Sequence, residues 1–169
     1  TMNPGGVREV GAVFRTEFDT LGFQTKWIDG EPFDRAGHLV AEHPGPGPGI
    51  LVIGHLDTVF EQDSPFQRFK RIDENRAQGP GIIDMKGGNV IIVFALRALA
   101  AADQLKKMNL MVVLTGDEEK SGRPLNLARQ ALKEAAHQAD FAIGFEDGDG
   151  DPKTAVIARR GSTSWRLDV

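Results

Sequence analysis

Three short, continuous apolar runs, separated by two longer helical patterns, constrain the fold of this chain most strongly. The runs are ILVIG at 50–54, LMVVL at 110–114 and FAIGF at 141–145. Each run predicts a strand, and the run at 50–54 is of the kind expected for a strand that is buried on both faces. The segments between them, at 90–102 and 124–138, are long enough to predict helices. This alternation predicts an α/β fold with a mostly parallel (mixed) sheet and helices on both faces.

The two ends of the chain add further predicted elements. Apolar residues at helical spacing predict a helix from Val7 to Leu21, with Gly22 as its C-terminal cap. The segments FQTKWI and HLVAEH predict two strands before the first apolar run. The last segment, TAVIARRGSTSWRLDV at 154–169, predicts a long strand or a strand pair.

Composition excludes several classes of site and partner. The chain has 169 residues, a net charge of −4 and no cysteine. Disulfides and thiolate metal sites are therefore excluded, and nothing indicates a nucleic-acid or membrane partner. No apolar run approaches the roughly 20 residues of a membrane span. The N-terminus shows no signal-peptide pattern, and the compartment stays open: cytoplasmic, or exported if a leader was removed.

Each apolar run that predicts a central strand is followed by an acid or a histidine, and a further acid, Asp84, lies after the central loop just before the long helix. Because ligands of α/β sheets bind beyond the carboxyl ends of the strands, these side chains are expected to share one edge. Gathered there, the carboxylates would repel one another unless a divalent cation lay between them. The residues at these positions are His55, Asp57, Asp84, Asp117, Glu118, Glu119 and Glu146.

The residue types indicate the chemistry. Imidazole and carboxylate ligands suit Zn2+, and also Co2+ or Mn2+. Two metals about 3.5–4 Å apart could share one carboxylate and hold a water between them. Asp57, two residues after His55, could accept the second ring N–H of that histidine. Of the neighbours Glu118 and Glu119, one can bind metal while the other acts as a general base, and the residues alone leave open which is which.

Each motif also has a plainer interpretation. His-x-Asp can be a surface pair, and DEEK at 117–120 can be a solvated turn. GPGIIDMKGG fits neither nucleotide-binding fingerprint, and DGDGD at 147–151 fails as a calcium loop at its sixth and twelfth positions. The remaining histidines, His38, His43 and His137, are expected off the active edge as structural or surface residues.

Four motifs, in this order and spacing, resemble a known enzyme family. They are GHLDTVF, GPGIIDMKGGNVIIVFALRAL, TGDEEKSG and ADFAIGFED. They resemble the di-zinc exopeptidases that include carboxypeptidase G (glutamate carboxypeptidase), acetylornithine deacetylase and succinyl-diaminopimelate desuccinylase. The resemblance covers nearly the whole chain and is greatest to the glutamate-carboxypeptidase branch. It implies metal-dependent hydrolysis of an amide bond in a small peptide or N-acyl amino acid.

The resemblance also implies a role for each residue. His55 would bind one zinc and Asp57 would orient it, while Asp84 would bridge two zinc ions and precede a cis peptide bond. The acids of the later strands complete the set: Glu118 as the general base, Glu119 as a ligand of the second zinc, and Glu146 as a ligand of the first.

Two features of the family find no counterpart here. The family takes a further histidine ligand from near the end of a chain about twice this long, and it inserts a lid domain that forms a homodimer. We therefore expect residues 1–157 to be the N-terminal portion of the metal-binding catalytic domain, and 158–169 to begin the strand that enters the lid.

Two other hypotheses remain open. The 169 residues alone could be an inactive half-domain that binds one metal at His55, Asp84 and Glu146. A weaker alternative is an unrelated nucleotide-binding α/β domain.

Overall fold

A five-stranded mixed sheet forms the centre of the protein in a computed structural model that describes residues 2–146, 148, 150–151 and 153–158. The strands of this sheet are β1 Gln24–Asp29, β2 Gly37–His43, β3 Gly49–His55, β6 Asn109–Thr115 and β7 Phe141–Gly144, and a separate small hairpin is formed by β4 Lys70–Arg71 and β5 Ala77–Gln78. The helices are α1 Pro4–Thr20, α2 Gly87–Ala101, α3 Leu125–Ala128 and α4 Gln130–His137.

The strand order is β1-β2-β6-β3-β7. β3 pairs parallel with β6 and with β7, whereas β2 pairs antiparallel with β1 and with β6. Four of these strands therefore run in one direction and β2 alone opposes them, which confirms the predicted mixed, mostly parallel sheet. As a consequence, the carboxyl ends of β3, β6 and β7 meet at one edge.

Helices cover both faces of the sheet, as predicted. Since successive strand residues point to opposite faces, Leu39 and Ala41 pack under α1 and α2, whereas Val40 faces α4. The first face holds the larger core, with Phe14, Phe18, Val52, Ile92, Leu96, Val112 and Leu114 among its members. Within the described residues, no helix combines the length and apolar character needed to cross a bilayer.

Local sequence signals explain where α1 begins and ends. The Asn3 side chain accepts the Gly6 N–H at 3.1 Å, and Pro4 occupies the first turn, where its missing N–H costs no helical bond. After the last turn, Gly22 adopts φ +85°, a left-handed conformation that glycine tolerates best. The predicted C-terminal cap at Gly22 is thus confirmed.

The helix predicted at 124–138 is wrong as a single element. It is split into α3 and α4 at Arg129, whose φ of −105° and ψ of 2° leave the helical region. The Arg129 guanidinium bonds to Asp117 at 2.6 Å, so a tertiary contact replaces local helix continuity at this point. Of the strand predicted at 154–169, residues 154–158 have no regular secondary structure, and the remainder lies outside the described residues.

Candidate metal centre

The carboxyl ends of β3 and β6 and the turn before α2 bring one histidine and two acids together. His55 is the last residue of β3, Asp84 lies in the π turn Ile82–Lys86, and Glu119 lies in the loop after β6. One potential ligand atom from each residue lies within 4.8 Å of the other two. A single cation could therefore contact all three side chains.

His55 is held in place through its backbone as well as its ring. The backbone N–H of His55 donates to the Met85 sulfur at 3.1 Å, and its carbonyl accepts the Asn89 side-chain amide at 2.7 Å. The ring Nε2 lies 2.7 Å from Asp84 Oδ1. The residue is buried, and its ring presents Nε2 to the acids.

Asp57 links His55 to the loop after β6. The His55 Nδ1 is 3.0 Å from the Asp57 carbonyl oxygen and 3.5 Å from its Oδ1. The two carboxylate oxygens of Asp57 accept the backbone N–H groups of Glu118 and Glu119, each at 3.1 Å. One buried carboxylate thus positions both the histidine ring and the two glutamates.

The electrostatics of this pair favour opposite charges. Burial acts to lower the pKa of His55, but hydrogen bonds with Asp57 and Asp84 outweigh it and raise that pKa to about 9. Burial likewise disfavours the Asp57 carboxylate, yet the His55 ring and the Glu118 N–H lower the pKa of Asp57 overall. Both ring nitrogens of His55 therefore face acceptors, and the position at Nε2 suits a proton or a metal cation.

The turn that carries Asp84 has an irregular backbone. Asp84 and Met85 depart from helical dihedral angles, and the peptide bond between them is cis, as the family resemblance implies. The Lys86 ammonium donates to the Pro80 carbonyl at 3.1 Å, and the Lys86 N–H donates to the Gly81 carbonyl at 2.7 Å. These bonds hold the turn so that the exposed Asp84 carboxylate reaches His55.

Glu118 and Glu119 point into different surroundings, as expected for neighbours at a strand end. Glu118 is exposed, whereas Glu119 is half-buried. Glu119 Oε1 is buried and has no hydrogen-bond partner within the described residues. Burial raises the pKa of both glutamates, and the negative charge of Asp84 adds to the effect at Glu119. A buried acceptor without a donor fits a cation ligand, because a cation would satisfy it.

Glu146 approaches the cluster from the segment after β7. Its Oε1 lies 3.9 Å from His55 Nε2. The side chain is 43% exposed, so it can move toward the other acids. The DGDGD segment that follows lies partly outside the described residues, since Asp147 and Asp149 are not described.

Asp117 faces the opposite side of its loop. It is fully buried and accepts from the Arg129 guanidinium at 2.6 Å and from the Gly122 N–H at 2.7 Å. His38 lies 4.0 Å from the Asp117 carboxylate. The expectation that His38 lies off the active edge is wrong, because β2 runs antiparallel and its first residues meet the carboxyl end of β6. His38 nevertheless has a structural environment, with Nε2 donating to the Ala128 carbonyl at 2.9 Å.

Asn89 was missed by the sequence reasoning. It is buried in the first turn of α2, and its amide nitrogen fixes the carbonyl of His55. The available signal was a single amide side chain at the start of an otherwise apolar helix.

Comparison with known proteins adds a family and several relatives. A profile of peptidase family M20/M25/M40 matches residues 51–159 of this chain. Carboxypeptidase G2 of Pseudomonas sp. (strain RS-16) is 28% identical over 158 residues, covering 92% of this chain and 37% of that protein. Succinyl-diaminopimelate desuccinylase of Rickettsia canadensis (strain McKiel) is 26% identical over 162 residues, covering 88% and 41%. The chain spans about two fifths of the length of these curated relatives.

Solved structures share the fold over most of the chain. An M20 family metallo-carboxypeptidase, Sso-CP2 from Sulfolobus solfataricus, matches with a TM-score of 0.66 at 19% identity, covering 85% of this chain and 33% of that one. Human carnosine dipeptidase 1 matches with a TM-score of 0.62 at 19% identity, covering 79% and 31%. At this level of identity the likeness shows the fold.

Proposed function

The chain belongs to peptidase family M20/M25/M40, and on that premise we propose that the protein containing it hydrolyses an amide bond with the help of bound metal. The observation that carries the proposal is the cluster of His55, Asp84 and Glu119, whose ligand atoms lie within 4.8 Å of one another. The substrates would be peptides or N-acyl amino acids.

The metal ligands in this proposal are His55, Asp84, Glu119 and Glu146. An imidazole nitrogen with carboxylate oxygens suits Zn2+, with Co2+ or Mn2+ as alternatives. The buried Oε1 of Glu119, which has no hydrogen-bond partner in the described part of the chain, supports a cation at this position. As the family resemblance implies, two zinc ions would be bound and Asp84 would be a ligand of both; its exposed carboxylate lies 2.7 Å from His55 Nε2.

Bound zinc would polarise the substrate carbonyl and make an attacking water more acidic. Glu118 is proposed to take the proton from that water and to return it to the leaving amine. A general base works best when its pKa lies near the working pH. Burial raises the pKa of Glu118, and the nearby charges of Glu146 and Asp57 raise it further, against the opposing effect of His55.

Asp57 is proposed as the residue that orients the site. Its carboxylate holds the backbone N–H groups of Glu118 and Glu119, and its carbonyl contacts the ring of His55. Through these contacts the general base and two metal ligands keep a fixed relation to one another. Mutation of such a partner of a metal ligand typically lowers metal affinity or activity by about 10–100-fold.

The finer proposal is a glutamate-carboxypeptidase-like activity on substrates with a free C-terminal carboxylate. The similarity to carboxypeptidase G2 supports it. The similarity to succinyl-diaminopimelate desuccinylase supports the broader class of N-acyl amino acids. Homodimerisation through a lid, which the family resemblance implies, stays a prediction.

A second candidate function applies to the 169 residues by themselves. The contacts of His55 Nε2 with Asp84 at 2.7 Å and with Glu146 at 3.9 Å favour an inactive domain that binds one metal at these three residues. Zinc titration by calorimetry gives the stoichiometry, and an assay for hydrolysis with added zinc separates the candidates. One bound zinc without turnover supports the second, whereas turnover by the chain alone contradicts it.

Replacement of the general base tests the proposed mechanism. In the protein containing this chain, Glu118→Ala should lower kcat by about 10²–10⁴-fold, the usual contribution of a general base. Its zinc content, measured by atomic absorption, should stay unchanged because Glu118 is not a proposed ligand. Glu9→Ala, which removes an exposed glutamate from α1, is the matched control. Unchanged turnover in the Glu118→Ala protein would refute this role for Glu118.

A further inference from the structure

A cavity of about 380 Å³ opens directly beside the acid cluster. Asp84 and Glu119 of that cluster are among its lining residues, and the small hairpin contributes Gln78. Its apolar walls come from the loop after β3 and from the π turn, through Val59, Phe60, Phe66, Ile82 and Ile83. Binding sites for small molecules commonly have this size and this mixture of apolar walls with few polar groups.

The aromatic part of the wall is built by packing within the loop. The rings of Phe60 and Phe66 lie 5.0 Å apart between centroids and are tilted by 60°. Such tilted pairs are a favourable arrangement for aromatic rings. Both side chains remain half-buried, so they keep apolar surface available to a ligand in the cavity.

Among the described residues, the ionisable groups that line the cavity both belong to the proposed metal site. The ionisable residues among those that line it are the acids Asp84 and Glu119, and no described lining residue is Lys, Arg or His. Asp84 and Glu119 are proposed to hold metal, so a substrate carboxylate placed among the apolar walls would find no Lys, Arg or His among the described lining residues as a counter-ion. A neutral apolar group would instead remove the exposed faces of Val59 and Ile83 from water.

We infer that this cavity is a specificity pocket that receives a neutral apolar group of the substrate, next to the amide bond to be cleaved. The inference rests on the proposed function, because the pocket gains its meaning from the adjacent acid cluster. The apolar group could belong to the acyl part or to the amino-acid part of the substrate. Glutamate recognition, if the protein has it, then depends on residues outside this cavity.

Two pairs of substrates distinguish the two sources of the apolar group. N-Benzoyl-L-alanine against N-acetyl-L-alanine varies the acyl part, and N-acetyl-L-phenylalanine against N-acetyl-L-alanine varies the amino acid. With the zinc-loaded protein that contains this chain, at least one pair should differ in kcat/KM by ~10-fold or more, as hydrophobic pockets achieve. The same compounds, measured by calorimetry on the Glu118→Ala protein, give the preference in binding without turnover.

Two variants with matched controls test the pocket itself. Ile83→Ala should reduce the apolar preference several-fold, whereas Phe69→Ala outside the cavity should leave it unchanged. Both side chains are about equally exposed, at 71% and 70%, so the fold should tolerate both changes. Gln78→Lys places a cation in the cavity and should shift the preference toward N-acetyl-L-glutamate. Asn75→Lys, at the tip of the same hairpin, is its control.

The outcomes separate the two proposals. Hydrolysis or binding with no apolar preference in either pair would overturn the pocket and leave the proposed function standing. An apolar preference that Phe69→Ala lowers as much as Ile83→Ala would also overturn it. Absence of hydrolysis of every compound, together with retained apolar selectivity in binding, would overturn the proposed function and support the pocket.

Discussion

Two buried histidines at the same edge of the sheet have opposite electrostatic surroundings. His38 and His55 are each 1% exposed. Burial lowers the pKa of His38 despite the nearby Asp117. At His55, burial acts in the same direction, but hydrogen bonds with Asp57 and Asp84 raise the pKa to about 9. The two rings are equally buried, so burial alone does not explain the opposite shifts in their pKa values. Their different hydrogen-bond partners do.

The partners of the two rings explain the difference. His38 Nδ1 accepts the Gly116 N–H at 3.2 Å and its Nε2 donates to a carbonyl, so the neutral ring satisfies both contacts. Both nitrogens of His55 face oxygen acceptors, which suits a charged ring or a bound cation. Near His38 the acid Asp117 already has a cation, Arg129. Around His55, Asp84 and Glu146 lie within ion-pair distance of the ring Nε2, at 2.7 Å and 3.9 Å.

Because Asp117 near His38 depends on Arg129 for its counter-ion, removal of Arg129 is predicted to cause the largest loss of stability among the substitutions considered. Arg129→Met leaves the fully buried Asp117 carboxylate without its cation, and breaking a buried ion pair in this way costs roughly 3–5 kcal/mol. Chemical denaturation of the metal-free protein, in the presence of a chelator, measures the free energy of unfolding. Arg97→Met, at a partly exposed pair with Glu17, is the matched control and should cost less than about 1 kcal/mol.

A second substitution tests the cause. Asp117→Asn in the Arg129→Met background removes the buried charge and keeps an acceptor for the Gly122 N–H. It should recover part of the lost stability. Equal losses of stability for Arg129→Met and Arg97→Met would show that the burial of Asp117 does not increase the cost of breaking its ion pair.

The same contrast predicts opposite pH dependences in the metal-free protein. The pKa of His55 is raised in the folded state, so its stabilisation is complete below about pH 6.5 and is lost as the pH rises through about 9. The loss amounts to about 3 kcal/mol at most. The pKa of His38 is lowered, so its stabilisation is complete above about pH 6.5 and is lost as the pH falls below that value.

Denaturation in the presence of a chelator from pH 5 to pH 10 measures both limbs. His55→Gln should flatten the alkaline limb, and His38→Gln should flatten the acidic limb. Each variant serves as the control for the other because both remove one buried imidazole. If both variants change the same limb, the assignment of opposite charge preferences is wrong.

The sequence predicted the sheet and its edge because those depend on local patterns. The runs that became β3, β6 and β7 are continuous and apolar, and α2 follows a long apolar segment. Their order places the strand ends on one side by a general rule of parallel sheets. Local patterns are sufficient for β3 and β6, because burial on both faces demands apolar residues throughout the strand. β7 is equally apolar but is an exposed strand at the edge of the sheet, so its pattern predicted the strand and not its exposure.

Long-range contacts account for what the sequence could not predict. Nothing near Asp117 in the chain distinguishes it from the two glutamates that follow, yet Arg129 binds it and turns it away from the cluster. The same contact interrupts the predicted helix at 124–138. The place of His38 depended on the direction of β2, which propensity does not encode. The roles of Glu118 and Glu119 came from the family resemblance and stay predictions.

The smallest effect on stability is predicted for Glu119, which lies near His55, in contrast to Asp117, the acid near His38. Burial raises the pKa of Glu119, and the charge of Asp84 raises it further, so Glu119→Gln removes a charge from an acidic surrounding. The free energy of unfolding of the metal-free protein should rise or stay constant, within about 1 kcal/mol, because the side chain is only half-buried. At Asp117 the corresponding change to Asn should lower it, since Arg129 would lose its partner.

Zinc affinity should respond to Glu119→Gln in the opposite sense. Loss of a carboxylate ligand should weaken zinc binding by about 100-fold or more, beyond the effect typical of residues that only support ligands. Glu118→Gln, at the neighbouring position, is the matched control and should leave the affinity within a few-fold. Competition with a zinc-sensitive dye measures both. If Glu119→Gln lowered the stability but left the zinc affinity unchanged, Glu119 would be a structural acid like Asp117. The proposal that Glu119 is a metal ligand would then be wrong.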